Sequence, residues 1–238
     1  LALWDVLLEL GYQVEGLHID LGIGGYSEAS RQRVEAFSQR RGAALRVVEL
    51  AREGFTVPEL ARRSSREVCS VCGSVKRYLM NRVAHEGGFT VLATGHNLDD
   101  EASRLLANLL RWQLWYLRTQ GPVLPAEGKL VKRVRPLFRL TEYETAAYAF
   151  LRGIDYVVQE CPYSRGATFL RYKQLLRRLE HDVPGTLLNF YQGFLKEGKA
   201  CFGQDQRSYM ECERCGYPTT VPVCGFCRLK EAMQCGSG

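Results

Sequence analysis

Four cysteines near the carboxyl end constrain the folding of this chain more than any other feature. Residues 212 to 227 read CERCGYPTTVPVCGFC, two CxxC pairs separated by eight residues. Tetrahedral zinc takes four thiolates from tight turns, and Gly216 and Gly225 at the two pairs permit such turns. So short a segment has no core of its own, which favours a metal over unbound thiols in an apolar pocket. The spacing predicts a zinc ribbon, structural or RNA-contacting, with these ligands: Cys212, Cys215, Cys224 and Cys227.

Composition places the chain among soluble globular proteins. Of its 238 residues, 46% are hydrophobic, and no apolar run approaches the roughly 20 residues that cross a bilayer. Asp5 and Glu9 lie where a signal peptide is uncharged, so we expect a cytoplasmic protein without a membrane partner. The net charge of +6 and the excess of arginine suit a phosphate-rich partner, although a GC-rich genome also produces arginine. Nine cysteines in a reducing compartment indicate metal or redox chemistry rather than disulfides.

Hydrophobic periodicity predicts an α/β fold with a parallel sheet. An amphipathic helix over 1–10 precedes the strand QVEGLHIDL, a helix over 28–41 capped by Ser27, and the strand ALRVVEL, which together form a βαβ unit. Later segments repeat the alternation, and Thr141 with Glu144 forms a capping box for another helix. Composition shifts after Gly198, so we divide the chain into a catalytic domain over 1–200 and the zinc ribbon over 201–238.

Two loops at predicted strand ends carry candidate nucleotide ligands. In ATGHNLDDEA, Gly95 allows a nucleotide to approach the backbone, and Asp99, Asp100 and Glu101 either hold magnesium or act as helix caps. In LHIDLGIGGYS, glycines follow another strand, where a base or ribose could lie, although any tight turn also explains them. Both loops fall at carboxyl ends of strands, where open α/β sheets bind ligands.

A third CxxC pair, Cys69 and Cys72, leaves three kinds of chemistry open. Cysteines at this spacing bind zinc, exchange disulfides or ligate iron. Cys161 in VQECPYS is the best third partner, with an ordinary buried thiol as the alternative. A later basic helix is a candidate for contact with a nucleic-acid backbone, or else a solvated face; its residues are Arg171, Tyr172, Lys173, Arg177 and Arg178.

Taken together, these stretches resemble the tRNA 2-thiolation branch of the ATP pyrophosphatase superfamily. The resemblance rests on LHIDLGIGGYS, EVCSVCGSVKR, LATGHNLDDEA, RVRPLFRLTEYETAAYAFLRGI, ECPYS and the ribbon, in that order, over nearly the whole chain. It implies an adenine-nucleotide hydrolase-like, Rossmann-like sheet flanked by helices. Members also carry a first strand and a phosphate-binding loop, SGGxDS, and we expect both to precede residue 1 in a longer protein.

The resemblance also implies site residues. ATP would lie with its base and ribose near His18, Ile19, Asp20 and Gly95, while Lys76 and Asp100 would contact it and act in catalysis, with Mg²⁺ as the accompanying ion. A [4Fe-4S] cluster would be bound through three irons, leaving the fourth open for sulfide. Its implied ligands are Cys69, Cys72 and Cys161.

The implied activity is ATP-dependent 2-thiolation of a tRNA uridine, with release of AMP and pyrophosphate. The nearest members act on uridine 54 of thermophile tRNA, receive sulfur from a ubiquitin-like protein ending in a thiocarboxylate, and form homodimers. Other interpretations remain open: thiolation of a wobble uridine or a cytidine through a persulfide cysteine, an amidating or lysidine-forming ligase, or a non-catalytic zinc-ribbon module that binds tRNA.

Overall fold

The computed structural model describes residues 1–63, 68–164, 168–203 and 208–234. Helices and short strands alternate along it, as predicted. The helices are α1 (Ala2–Glu9), α2 (Gly24–Arg41), α3 (Val57–Arg63), α4 (Val68–Glu86), α5 (Leu98–Leu110), α6 (Leu114–Thr119), α7 (Glu142–Leu151), α8 (Thr168–Asp182), α9 (Thr186–Lys196) and α10 (Gly225–Gln234). The strands are β1 (Gly16–Asp20), β2 (Leu45–Glu49), β3 (Val91–Ala93), β4 (Val123–Leu124), β5 (Lys132–Val134), β6 (Met210–Glu211) and β7 (Pro218–Thr219).

Parallel strand pairs confirm the predicted sheet type. β1 pairs with β2 in parallel, with Gly16 opposite Leu45, and α2 connects the two strands. β3 pairs with β5 in parallel, and β4 lies antiparallel on the other edge of β5. The ribbon contributes a separate antiparallel pair, β6 and β7.

A cavity of about 600 Å³ separates the two parallel pairs, which are not hydrogen-bonded to each other among the described residues. Gly16 and Leu17 of β1 line one side of it, and Leu92 and Ala93 of β3 line another. Leu3 of α1 also lines it. The strand edges that face this space have no strand partner, so their backbone groups are available to a ligand or another segment.

Capping chemistry sets the helix starts, with one correction. The Thr141–Glu144 capping box at α7 is present as predicted, and a second box joins Asn97 and Asp100 at α5. The prediction that Ser27 caps α2 is wrong, because the helix begins at Gly24. Ser27 lies inside the helix, and its hydroxyl accepts a hydrogen bond from the backbone N–H of Ile23, the residue before the helix, at 2.9 Å. This N–H would otherwise lack a partner at the helix start.

Three clusters of buried apolar side chains form the core. The first joins α3 and α4 to the ribbon, where the rings of Tyr78 and Phe226 stack with centroids 4.0 Å apart. The second lies between α5, α8 and α9, and the third contains the Trp4–Phe37 contact. The ribbon thus shares a core with α4, the helix that carries Cys69 and Cys72. None of the described helices combines the length and apolar composition that a bilayer crossing requires.

Candidate active site

The fold brings the three central cysteines together. Cys69 and Cys72 lie on the first turns of α4, and Cys161 lies in a turn between α7 and α8 that is closed by hydrogen bonds from Ser164 to the Cys161 carbonyl. The Cys69 thiol donates to the Tyr163 carbonyl oxygen at 3.1 Å, which joins the two segments. Cys72 and Cys161 pack against the same core cluster. The structure therefore places all three thiols at one site.

Electrostatics at this site depend on burial and on Lys76. Burial raises the pKa of Cys72, the Lys76 ammonium one helical turn away lowers it, and Cys161 and Cys69 raise it again. Burial likewise raises the pKa of Tyr26, with Cys161 and Cys72 adding to the shift. Lys76 itself is exposed on α4. A metal that binds here must therefore displace a proton from Cys72, and Lys76 partly offsets that cost.

The ribbon cysteines are spaced for one ion, unlike the central thiols. Among the described residues, the four ribbon sulfurs form the group whose ligand atoms all lie within 4.8 Å of one another. Cys215 and Cys224 sulfurs are 3.8 Å apart, the separation that a tetrahedral site with Zn–S bonds of about 2.3 Å requires.

Backbone N–H groups stabilise a thiolate in the ribbon. Burial acts to raise the pKa of Cys212, but backbone N–H groups outweigh it and lower that pKa to about 6. One of these donors is the Cys224 N–H, 3.2 Å from the Cys212 sulfur. Burial raises the pKa of Cys227. This donor set fits a zinc ion, which stabilises all four thiolates when it binds.

The three acidic residues at the start of α5 have separate roles. Asp100 accepts from the Asn97 N–H at 3.2 Å and from Lys173 Nζ at 2.8 Å, so both its oxygens are engaged. Asp99 accepts from the Glu142 N–H at 2.7 Å and thereby caps α7. Glu101 is fully buried and cannot hold magnesium at a surface site. Asp100 therefore caps its own helix α5, as the cap interpretation has it, whereas Asp99 caps α7.

Half of the predicted basic surface on α8 is neutralised by these acids. Burial disfavours the Lys173 ammonium, but Asp100 and Glu142 outweigh it and raise its pKa. Arg177 Nε lies 3.1 Å from Asp99 Oδ1, and its guanidinium also pairs with Glu142. Of the predicted tRNA contacts, only Arg171 and Arg178 remain exposed and without an ion pair among the described residues.

Of the four residues predicted for the base and ribose, the cavity lining includes Gly95 but not His18, Ile19 or Asp20. Gly95 lines it after β3, whereas β1 contributes Gly16 and Leu17 rather than His18, Ile19 or Asp20. Asp20 accepts a hydrogen bond from the Gly22 N–H at 2.9 Å and so shapes the turn after β1. Burial lowers the pKa of His18, and its Nε2 is buried without a hydrogen-bond partner. A cavity of this volume is within the range of ligand sites, and the binding of ATP to these residues stays a prediction.

His96 gives this region a pH dependence. Burial lowers its pKa to about 4, and Arg104, Arg135 and Arg133 add to the shift while Asp100 opposes it. Because the unfolded chain binds a proton near pH 6.5 and the folded chain does not, stability is lost as the pH falls from about 6.5 to 4. Between pH 7 and pH 4.5, the free energy of unfolding should therefore fall by on the order of 2 kcal/mol less in the His96→Gln variant than in the parent protein.

Urea unfolding midpoints at pH 7 and pH 4.5 measure this effect. The exposed His85→Gln variant is the matched control and should keep the acid sensitivity of the parent protein. Equal acid sensitivity in the His96→Gln variant would contradict the assignment.

Sequence similarity to known proteins shows the family of this chain. No protein-family model matches it. The tRNA-5-methyluridine(54) 2-sulfurtransferase of Thermus thermophilus is 52% identical to it over 235 residues, which cover 98% of this chain and 73% of the relative. The chain belongs to the tRNA-5-methyluridine(54) 2-sulfurtransferase family. This confirms the predicted family and enzyme class.

A second relative and a solved structure agree with this placement. The tRNA-5-methyluridine(54) 2-sulfurtransferase of Pyrococcus horikoshii is 46% identical and covers 94% of the chain, which spans 72% of that relative. The solved U34-tRNA thiolase NcsA from Methanococcus maripaludis, with its [4Fe-4S] cluster, superposes with a TM-score of 0.80 over 97% of this chain and 76% of its own. At 24% identity, this likeness confirms the α/β fold.

Sequence reasoning missed a group of arginines beside Glu101. Arg104 and Arg135 pair with that carboxylate, and, in addition to burial, both of them and Arg133 lower the pKa of the nearby His96. The alternation in VKRVRPL was a usable signal, because Arg133 and Arg135 are two residues apart and therefore project to one face of β5.

Proposed function

We propose that the protein is a tRNA sulfurtransferase that replaces the 2-oxygen of uridine 54 with sulfur and consumes ATP. The observation that carries the proposal is the convergence of Cys69, Cys72 and Cys161 beside Lys76 in a member of this family. The names of the relatives at 52% and 46% identity support uridine 54 of tRNA as the target.

The uridine carbonyl must be activated because its oxygen is a poor leaving group. The 2-oxygen attacks the α-phosphorus of ATP, and the bond to pyrophosphate breaks. A sulfide then attacks C2, the C2–O bond breaks, and AMP leaves with the former carbonyl oxygen. Lys76 is exposed and free to neutralise charge on the phosphates during both steps.

Asp100 acts through position rather than through a metal in this proposal. Its oxygens already bind the Asn97 N–H and Lys173, so it orients the start of α5 next to Gly95 and the cavity. We assign Mg²⁺ to the triphosphate of ATP, because Mg²⁺ in such sites is bound largely by substrate phosphates. The base and ribose are assigned to His18, Ile19, Asp20 and Gly95.

The central thiols would hold a [4Fe-4S] cluster. When bound, such a cluster would supply iron that stabilises sulfide as an anion. The protein's own part is to place three thiols on two segments, to exclude water from Cys72 by burial, and to supply the Lys76 charge. The resemblance to members that receive sulfur from a ubiquitin-like thiocarboxylate protein and act as homodimers supports the same donor and assembly here.

The ribbon would hold zinc in a structural role. All four ligand positions are filled by cysteine, so no open position remains for catalysis. Its packing on α4 through Phe226 would then hold the helix that carries Cys69 and Cys72.

Anaerobic reconstitution with iron and sulfide tests the proposal on the full-length protein. We expect visible iron-sulfur absorption and ATP-dependent formation of 2-thiouridine at position 54 of tRNA. Cys161→Ser should lose the absorption and reduce the thiolation rate by more than about 100-fold, since even outer partners of metal sites are worth about 10- to 100-fold.

Cys201→Ser is the matched control, because Cys201 is an exposed thiol outside both cysteine sites. It should keep both the absorption and the rate. A colourless protein that remains active would favour a persulfide relay on Cys69 or Cys161, and activity that survives Cys161→Ser would overturn the cluster assignment.

A further inference from the structure

Four arginines from three elements converge beside the α5 start. Arg77 lies on α4, Arg104 on α5, and Arg133 and Arg135 in or next to β5. Burial lowers the pKa of Arg133, and repulsion from Arg135, Arg77 and Arg104 lowers it further. Burial lowers the pKa of Arg77 as well, with Arg104 adding to the shift. Geometry agrees, because Asn81, one helical turn beyond Arg77, accepts a hydrogen bond from the Val131 N–H at 2.9 Å, two residues before Arg133.

Among the described residues, Glu101 provides the carboxylate that pairs with arginines of this group. Glu101 pairs with Arg135 at 3.1 Å and with Arg104 at 3.2 Å. No carboxylate oxygen of the described residues lies within 4.0 Å of the guanidinium of Arg77 or Arg133. Glu101 is thus shared by Arg104 and Arg135, and the charges of Arg77 and Arg133 leave a local excess of positive charge. The basic residues of α8 differ, because Lys173 and Arg177 are matched by carboxylates.

Arg77 and Arg133 also have hydrogen-bond donors without a partner among the described residues. Arg77 donates to the Ser74 hydroxyl at 3.1 Å, and part of its side chain is exposed although neighbouring residues desolvate its charge. The Nε of Arg133 is buried and has no partner. Unmatched donors and charges at a partly buried site are costly, and an anionic ligand that accepts from them removes that cost.

The surroundings suit a phosphate ester. Tyr116, which is 54% exposed, and Tyr217 of the ribbon lie within electrostatic range of Arg77. Arg77 follows Lys76 directly and lies eight residues after Cys69 on α4, about 12 Å along the helix axis. A nucleotide unit has a backbone phosphate and a base that stacks on aromatic rings, so it could engage both features.

We propose that Arg77, Arg104 and Arg133 form a phosphate-binding site next to the thiol site. The guanidinium fork matches phosphate oxygens bidentately, and two of these three forks have no carboxylate partner among the described residues. The phosphate comes from the tRNA backbone or from ATP, and the two sources are separated by experiment. The existence of the site is inferred from the arrangement of charges in the fold. Its occupation by tRNA rests on the proposed function.

Binding of an unmodified tRNA transcript at several salt concentrations tests the site. Arg77→Gln, at an exposed position, should weaken binding about 10-fold at low salt. It should also reduce the slope of log K against log salt by about 0.7 to 0.9, the value for one lost phosphate contact. Arg133→Gln should do the same, and Arg77→Gln alone decides if that variant fails to fold by circular dichroism.

Equilibrium dialysis with ATP forms the second arm. Weaker ATP binding with unchanged tRNA binding would support the site and assign the phosphate to the nucleotide. Arg52→Gln, an exposed arginine paired with Glu49, is the control and should change neither. Unchanged binding of both ligands in the Arg77 and Arg133 variants would overturn the proposal. Absence of tRNA binding by the parent protein would instead count against the proposed function.

Discussion

Replacing Cys224 with serine is expected to detach the ribbon from the body of the protein. Cys224 is 3% exposed, its N–H donates to the Cys212 sulfur at 3.2 Å, and its own sulfur is 3.8 Å from that of Cys215. A structural zinc contributes on the order of 10 kcal/mol to folding a finger-sized module, which has almost no core of its own. With the proposed zinc bound, loss of one ligand therefore removes the main source of order in the segment.

The effect should reach α4 through the aromatic contact. Phe226 stacks on Tyr78 and lies 5.8 Å from the Phe55 ring, so release of the ribbon exposes apolar surface of the first core cluster. Exposure of one such side chain costs about 1.5 to 3 kcal/mol. We expect zinc content to fall, protease cleavage to appear within 208–234, and the urea midpoint of the remaining protein to decrease.

Cys201→Ser is the matched control for this prediction also, because it removes a thiol outside the ribbon. Chelation of the parent protein should reproduce the Cys224→Ser phenotype. A ribbon that keeps its protease resistance and near-ultraviolet circular dichroism without bound metal would contradict the zinc assignment.

Glu101→Gln is expected to destabilise the protein by about 3 to 5 kcal/mol. Glu101 is 0% exposed and accepts from Arg135, Arg104 and, at 3.0 Å, the Tyr191 hydroxyl. Burial raises the pKa of Tyr191, and the Glu101 carboxylate raises it further. Neutralising it leaves Arg135, whose side chain is 7% exposed, as an uncompensated buried charge.

Urea unfolding distinguishes this mechanism from loss of one hydrogen bond. Tyr191→Phe removes a single donor and should cost about 1 to 2 kcal/mol, while Glu86→Gln, at an exposed site, should cost almost nothing. Replacing Glu101 and Arg135 together with methionine should be less harmful than Glu101→Gln, because no unpaired charge remains. A larger loss in the double variant would show that packing, not charge, dominates.

Local features of the chain could be predicted because neighbouring residues decide them. The α/β alternation, the parallel pairing and the Thr141–Glu144 box follow from periodicity and from side chains three or four positions apart. The ribbon ligands follow from two short CxxC pairs, and the family from motifs in a fixed order. Where a helix start depended on turn geometry instead, as at Ser27, the prediction was wrong.

Contacts between distant segments were decided by tertiary structure alone. Glu101 meets Arg135 and Tyr191 across 34 and 90 positions, and Asp100 meets Lys173 across 73, so no local pattern could separate a buried pair from a metal ligand or an RNA contact. By itself, the sequence determined which cysteines pair locally, which segments are helices and strands, and which family they resemble. The packing of α4, α5 and β5 determined which charges are neutralised and which remain open, because ionic partners are selected by distance in space rather than along the chain.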